Sequence, residues 1–158
     1  MASLDRIDFE ILQILRDDAR ISNKDLAGRV GLASSSCLTR VRALVAEGVI
    51  KGYYADLDLR QLGVGLRAMV TVKLAKHSRN EFEEFRQHLM AQPEVERVVH
   101  LSGANDFMVQ VATRDTDHLR DLVLEAFTER KEVSHIETSL IYDEWTNTQL
   151  DVSRGNAQ

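Results

Sequence analysis

Between residues 4 and 15 the apolar side chains Leu4, Ile7, Ile11, Leu12 and Leu15 recur at steps of three and four, the spacing of one face of an α-helix. Asp5 or Asp8 supplies its start signal. Ser22 followed by Asp25 is a capping-box-like pair, and it predicts a second helix over residues 23–30, stopped by Gly31. The next residues, 32–34, are too few for anything but a tight turn. A third helix is expected over 34–47, with Cys37, Val41, Leu44 and Val45 on its buried stripe. Ser35, Ser36, Leu38, Thr39 and Arg42 fall away from that stripe. Gly48 ends the helix, and residues 49–59, rich in β-formers but broken by Gly52, suit a short strand or wing.

After Gly63 and Gly65 the pattern changes. Leu66, Ala68, Val70, Val72 and Leu74 alternate with Arg67, Met69, Thr71 and Lys73, the period of a strand with one apolar face. Asn80 and Glu83 suggest a capped helix carrying Phe82, Phe85 and Leu89 on one face, with Pro93 just beyond its end. Residues 95–101 and 107–112 read as two strands around the turn 102–106. Leu119, Leu122, Val123, Ala126 and Phe127 then mark an amphipathic helix beginning near Asp115 or Thr116, and a last strand covers about 134–142. The predicted class is α+β: a winged helix-turn-helix over 1–60, then a ferredoxin-like βαββαβ domain over 61–158 with both helices on one face of an antiparallel sheet. The other face is left open. Met69, Val99, Met108 and Leu140 or Ile141 give it enough apolar area to favour pairing of two copies.

Charge sharpens this division. The chain has 158 residues and a net charge of -5, which by itself disfavours a polyanionic partner. Yet residues 1–60 are balanced, and the window 20–51 holds Arg20, Lys24, Arg29, Arg40, Arg42 and Lys51 against only Asp25 and Glu47. One basic window in an acidic chain suggests a surface reserved for an anion. Three helices with a short turn before the third are the helix-turn-helix pattern, whose last helix lies in a DNA major groove. The expected DNA-binding residues are Asn23, Lys24, Ser34, Ser35, Ser36, Leu38, Thr39, Arg40 and Arg42, with Arg40 either near DNA or in a structural ion pair. No apolar run approaches the roughly 18 residues a membrane-spanning helix needs. The first eight residues carry acids where a signal peptide carries bases, so the expected location is cytoplasmic.

Catalytic and metal chemistry find little support in the pattern. Histidines 77, 88, 100, 118 and 135 show no pair three or four apart on one predicted helix, and the chain has a single cysteine, Cys37, on a buried stripe. No metal, no cofactor and no enzymatic activity are expected. Asp106 beside Gly103 is the favoured contact for a small zwitterion, because a carboxylate and free backbone amides offer both signs of partner. The competing reading is an aspartate that merely completes the turn. His100 is likewise either pocket-lining or plain strand surface.

The chain as a whole resembles the Lrp/AsnC family, the leucine-responsive and feast/famine transcriptional regulators of prokaryotes. The resemblance rests on Leu4-Asp5, Asp8 and Ile11-Leu12, on Asp18-Ala-Arg20-Ile-Ser22, Leu26-Ala27 and Val30-Gly31-Leu32, and on Arg40-Val41, Leu44 and Glu47-Gly48-Val49-Ile50-Lys-Gly-Tyr53. It continues through Leu57-Asp58, Leu62-Gly63, the glycine-x-x-aspartate turn Gly103-Ala-Asn-Asp106 and the strand holding Thr138. It implies a DNA-binding regulator with an amino-acid effector held between sensor domains, and dimers that assemble to tetramers or octamers. The implied effector set is His100, Ser102, Gly103, Asn105, Asp106, Thr138, Ser139 and Leu140. This chain has Ala33-Ser34 where the family has Ser-Pro, which would move the N-cap hydroxyl to Ser34, and Lys131-Glu132 where Pro-Gly is usual.

The expected function is therefore sequence-specific binding of double-stranded DNA, modulated by a small effector through contacts between dimers. A hinge at Gly63-Val64-Gly65 is the competing route. The alternative function is an amino-acid-binding module acting on a protein partner, which would not require the basic window.

Overall fold

The computed structural model describes residues 4–75 and 78–146. The described residues divide into two units, the first reaching Asp56 and the second spanning Leu57–Glu144. In the first, α1 (Arg6–Asp17), α2 (Asn23–Arg29) and α3 (Ser34–Ala46) surround Ile11, Leu26, Ala27, Cys37 and Leu44, all nearly inaccessible. Asp5 and Asp8 close a reciprocal capping box on α1, each carboxylate accepting the other's backbone N–H at 2.9 and 3.0 Å. Ser22 Oγ accepts the Asp25 N–H at 3.1 Å, so the serine signal does start α2. Gly31, at φ 69, ends that helix in the left-handed region that glycine enters without strain.

Three expectations for this unit are corrected. Val45, expected on the buried stripe of α3, is 46% exposed. Ser34 does not cap α3: Ala33 is the N-cap and no side chain bonds the first turn, while Ser34 is already helical. The β-former-rich stretch 49–59 forms no strand. Its first two amides fold back onto the Leu44 carbonyl, Ile50 packs on the unit's core, and the rest runs without regular secondary structure to a 3-10 turn at Leu59–Leu62. A strand needs a ladder partner, and among the described residues none lies beside this segment.

The second unit runs β1 (Leu66–Leu74), α4 (Arg79–Met90), β2 (Val95–His100), β3 (Phe107–Thr113), α5 (Thr116–Val123) and β4 (Val133–Leu140), with a π-helical turn, Leu124–Thr128, prolonging α5. Every neighbouring pair is antiparallel in the order β2-β3-β1-β4, the split βαββαβ arrangement. Val70, Val72, Phe107, Val109 and Val111 turn one face of the sheet to Phe85 and Leu89 of α4 and to Leu119, Leu122 and Phe127 on the other helical segment. The cap of α4 lies two residues before the expected Asn80, since Ser78 Oγ accepts the Glu81 N–H at 3.3 Å.

The opposite face carries Met69, Thr71, Val99, Met108 and Gln110. Leu140 is not part of it: it pairs with Ala68 and so shares the helix-covered face, although as a residue of an edge strand it stays 42% exposed. Alternation assigns the outer position to Ile141, whose N–H donates to the Arg67 carbonyl at 2.9 Å. This outer face also holds a polar island. Arg67 bonds Glu96 at 2.9 Å and Glu144 at 2.7 Å, and the buried Gln110 amide donates to both carboxylates.

Candidate nucleic-acid interface and effector turn

The helical period of α3 sorts its residues into two faces. Cys37 and Leu44 are buried and Val41 packs beside them, whereas Ser35, Leu38, Thr39 and Arg42, at steps of three, four and seven, are exposed. Burial pushes the Cys37 thiol above its ordinary range, which makes it a packing residue. Asn23 does not point outward alone: its Nδ2 donates to the Ser34 carbonyl at 2.8 Å and fixes the start of α3 from α2. Thr39 Oγ1 donates to the Ser35 carbonyl at 3.0 Å.

The two arginines of α3 have separate fates. Arg40 bonds Asp5 at 2.7 Å and Asp8 at 2.9 Å, tying α3 to the capped end of α1. The Asp8 amide and this guanidinium together hold the Asp5 carboxyl below its usual range. Of the two readings left open by the sequence, the structure supplies the ion pair. Arg42, like Arg20, Lys24, Arg29 and Lys51, has no side-chain ion pair among the described residues. These are the charges available to an external anion.

At the far end of the second unit, residues 101–106 join β2 to β3, with Gly103 at φ 128. Asp106 is built into the sheet. Its N–H donates to the Val72 carbonyl, its own carbonyl accepts the Leu101 N–H, and its half-buried carboxylate accepts the Leu74 N–H, all at 2.8 Å. It completes the turn and terminates β1, the role the competing reading gave it. His100 packs against Phe82 with ring centres 4.3 Å apart and ring planes tilted by 58°, while remaining exposed, so it belongs to both the turn's flank and the core's edge.

A single chain does not gather the expected effector residues into one pocket. Thr138 lies opposite Val70 and Leu140 opposite Ala68, whereas Asp106 bonds at Val72 and Leu74. The strand between Ala68 and Leu74 spans about 20 Å, so Leu140 and the Gly103 turn sit at opposite ends of β1. Ser139, pairing with Met69, faces away from Thr138 and Leu140. The strand residues that do reach the turn's end are Val133 and Ser134, the latter donating to the Lys73 carbonyl at 3.0 Å; only the register reveals them. Two surface cavities of about 240 and 390 Å³ lie beside the helices, and none of the eight expected effector residues lines either. Among the described residues no group of three His, Cys, Asp or Glu side chains is arranged to hold a metal, and no helix is long and apolar enough to cross a membrane.

Comparison with known proteins agrees with both units. Residues 4–51 match the winged helix-turn-helix DNA-binding family, and residues 67–150 match the Lrp/AsnC ligand binding domain. The chain is 44% identical over 140 residues to the HTH-type transcriptional regulator AldR of Mycolicibacterium smegmatis, covering 89% of this chain and 82% of that protein. It is 38% identical over 137 residues to the leucine-responsive regulatory protein of Rhizobium meliloti, covering 87% and 88%. Among solved structures, a Neisseria meningitidis transcriptional regulator in complex with L-Met superposes with a TM-score of 0.84 at 28% identity, covering 93% of this chain and 95% of that one. With a helix-turn-helix in its first unit and a match to the Lrp/AsnC ligand binding domain in its second, the chain belongs to the Lrp/AsnC family of DNA-binding transcriptional regulators.

Proposed function

We propose that this regulator binds double-stranded DNA sequence-selectively, with α3 in the major groove and Arg42, Lys24 and the hydroxyls of Ser34, Ser35 and Ser36 at phosphates or base edges. The observation that carries the reading is the division of labour on α3: Arg40 is committed to α1, while Ser35, Leu38, Thr39 and Arg42 form an exposed stripe opposite the buried one. The first-turn amides of α3 lack a side-chain cap, and they add partial positive charge where a phosphate would approach. Arg42→Ala is expected to weaken DNA binding and to reduce the slope of log affinity against log salt by about one unit. Filter-binding titrations at several salt concentrations measure both; unchanged affinity and slope would remove α3 from the interface.

The second unit is assigned a small effector of the amino-acid class, bound at the Gly103 turn, with no catalysis and no resident metal or cofactor. Support comes from the match to a ligand-binding domain and from the relative solved with L-Met. Because Leu140 lies at the opposite end of β1 from this turn, any contribution from it comes from a second copy. The outer sheet face, with Met69, Val99 and Met108, is the proposed dimer surface, and a dimer supplies the two helix-turn-helix units that paired half-sites require. Division of labour at about residue 60, a cytoplasmic location, assembly to tetramers or octamers and coupling through contacts between dimers complete the proposal. Action on a protein partner instead of DNA is not favoured, since it leaves the unpaired bases of the first unit without a role.

Asp106 tests the effector assignment if the substitution preserves its structural bond. Asp106→Asn keeps an oxygen for the Leu74 N–H but removes the charge offered to an ammonium group. A thermal-shift screen of the twenty amino acids on the wild type identifies the effector, which at one hundred times its dissociation constant adds about 2.7 kcal/mol. The variant is expected to fold and to lose that shift. A full shift in Asp106→Asn would place the effector elsewhere.

A further inference from the structure

The exposed stripe of α3 contains an anomaly for a surface meant to read hydrogen-bonding edges. Leu38 stands at its centre with 37% of its surface accessible, and Val45, two turns along the same side, is 46% exposed. Beside Leu38, Thr39 has already used its one hydroxyl hydrogen on the Ser35 carbonyl, 3.0 Å away. What Thr39 has left to offer is a γ-methyl group and an acceptor lone pair. Two adjacent positions facing away from the core therefore present mainly carbon.

Only one feature of the major groove is complementary to carbon, the 5-methyl group of thymine. Guanine presents acceptors there and cytosine an amino donor, and pressing Leu38 against either would strip water from a polar group without replacing its hydrogen bond. We propose that Leu38 and Thr39 read thymine methyl groups, so that this chain selects thymine at the base steps under the middle of α3 both by apolar contact and by rejecting polar edges. This rests on the reading that α3 occupies the major groove. The neighbouring charge is consistent with it: Arg42, one turn further and unpaired, fixes the helix to the backbone or to a guanine while the apolar pair discriminates.

The test uses the full chain and a duplex that it selects from a random-sequence pool. Each thymine of the selected site is replaced in turn by deoxyuridine, which removes the methyl group and leaves base pairing and phosphates unchanged. One or two positions per half-site are expected to weaken binding about fourfold each, the effect of one methyl-sized contact of about 0.8 kcal/mol. Thr39→Val, which keeps the methyl group and discards the hydroxyl, is expected to lose less affinity than Thr39→Ser. Thr39→Ser is expected to lose about the same fourfold, and to show no further loss on the duplex lacking the matching methyl group. Thr39 is exposed, and thermal melts of both variants verify that they fold.

A selected site without thymine, no deoxyuridine position weakening binding beyond twofold, or Thr39→Val as damaging as Thr39→Ser would each overturn the proposal. If Arg42→Ala still weakens binding in those cases, thymine reading alone has failed. If Arg42→Ala, Thr39→Ser and deoxyuridine substitution all leave affinity unchanged, the placement of α3 in the groove has failed with it.

Discussion

Phe107→Ala is expected to destabilise the second unit by about 3–5 kcal/mol, a large part of the 5–15 kcal/mol that typically holds a domain together. Phe107 is fully buried at the first position of β3, its ring 4.5 Å from that of Phe82 and 5.4 Å from that of Phe85. Truncation leaves a void where three aromatic rings meet, and the flanking strands, held by ladders on both sides of β3, cannot close it. Because Phe107 directly follows Asp106 and its ring lies 5.9 Å from that of His100, the cavity opens under the 101–106 turn. Denaturant unfolding followed by near-UV circular dichroism measures the loss. Phe107→Leu, which keeps most of the volume, is expected to cost less than half as much; equal costs would mean that ring packing does not hold this end of the core.

Two glycines are expected to respond to alanine with opposite signs. A Cβ at Gly65 would lie 2.2 Å from the Arg114 carbonyl oxygen, a backbone atom that cannot swing aside. Gly65 also donates its N–H to the Thr113 carbonyl at 3.0 Å, and this bond leads the chain into β1. Gly65→Ala must therefore separate the two backbones, at about 1–3 kcal/mol or more. Gly28 sits within α2, and a Cβ there meets nothing within 4 Å. Gly28→Ala removes conformational freedom from the unfolded chain and is expected to stabilise the first unit by about 0.5–1 kcal/mol. Thermal melts of the two variants should move in opposite directions. A neutral Gly65→Ala would show that the close approach to Arg114 is not maintained in solution.

What could be read along the chain was whatever depends on neighbours within a turn or a strand. Among the described residues, the periods of three-and-four and of two place the three α-helices of the first unit and the two α-helices and four strands of the second within a few residues. Ser22 was legible as a cap because its partner Asp25 is three residues away. Ser78 and Asn80 both satisfy the capping pattern, and only the actual bend of the chain chooses between them. The commitment of Arg40 was open in the sequence because Asp5 and Asp8 lie 35 and 32 residues earlier and come alongside only when α1 packs on α3. The stretch 49–59 misleads for the converse reason: β-propensity describes what a residue tolerates in a ladder, not whether a partner strand exists. The expected effector residues look like one set in the sequence because the turn and the last strand both match the family, but their separation along β1 is a property of register.

That register slips by one residue near the start of β4, where Lys73 faces His135 while Leu74 faces Val133, leaving Ser134 as the extra member. The slip gives the gene two kinds of neighbouring codon. An inserted codon after His135 would turn Ile136 from the core to the outer face and exchange the directions of Thr138 and Ser139, since side chains alternate at every residue. The chemistry of both faces would be rewritten by one heritable event, at the expense of the core. Length change before Glu132 falls outside the ladder and leaves residues 136–140 in phase. Descendants of this chain thus vary the loop's length at less expense before Glu132 than within residues 136–140, where substitution alone keeps both faces in place.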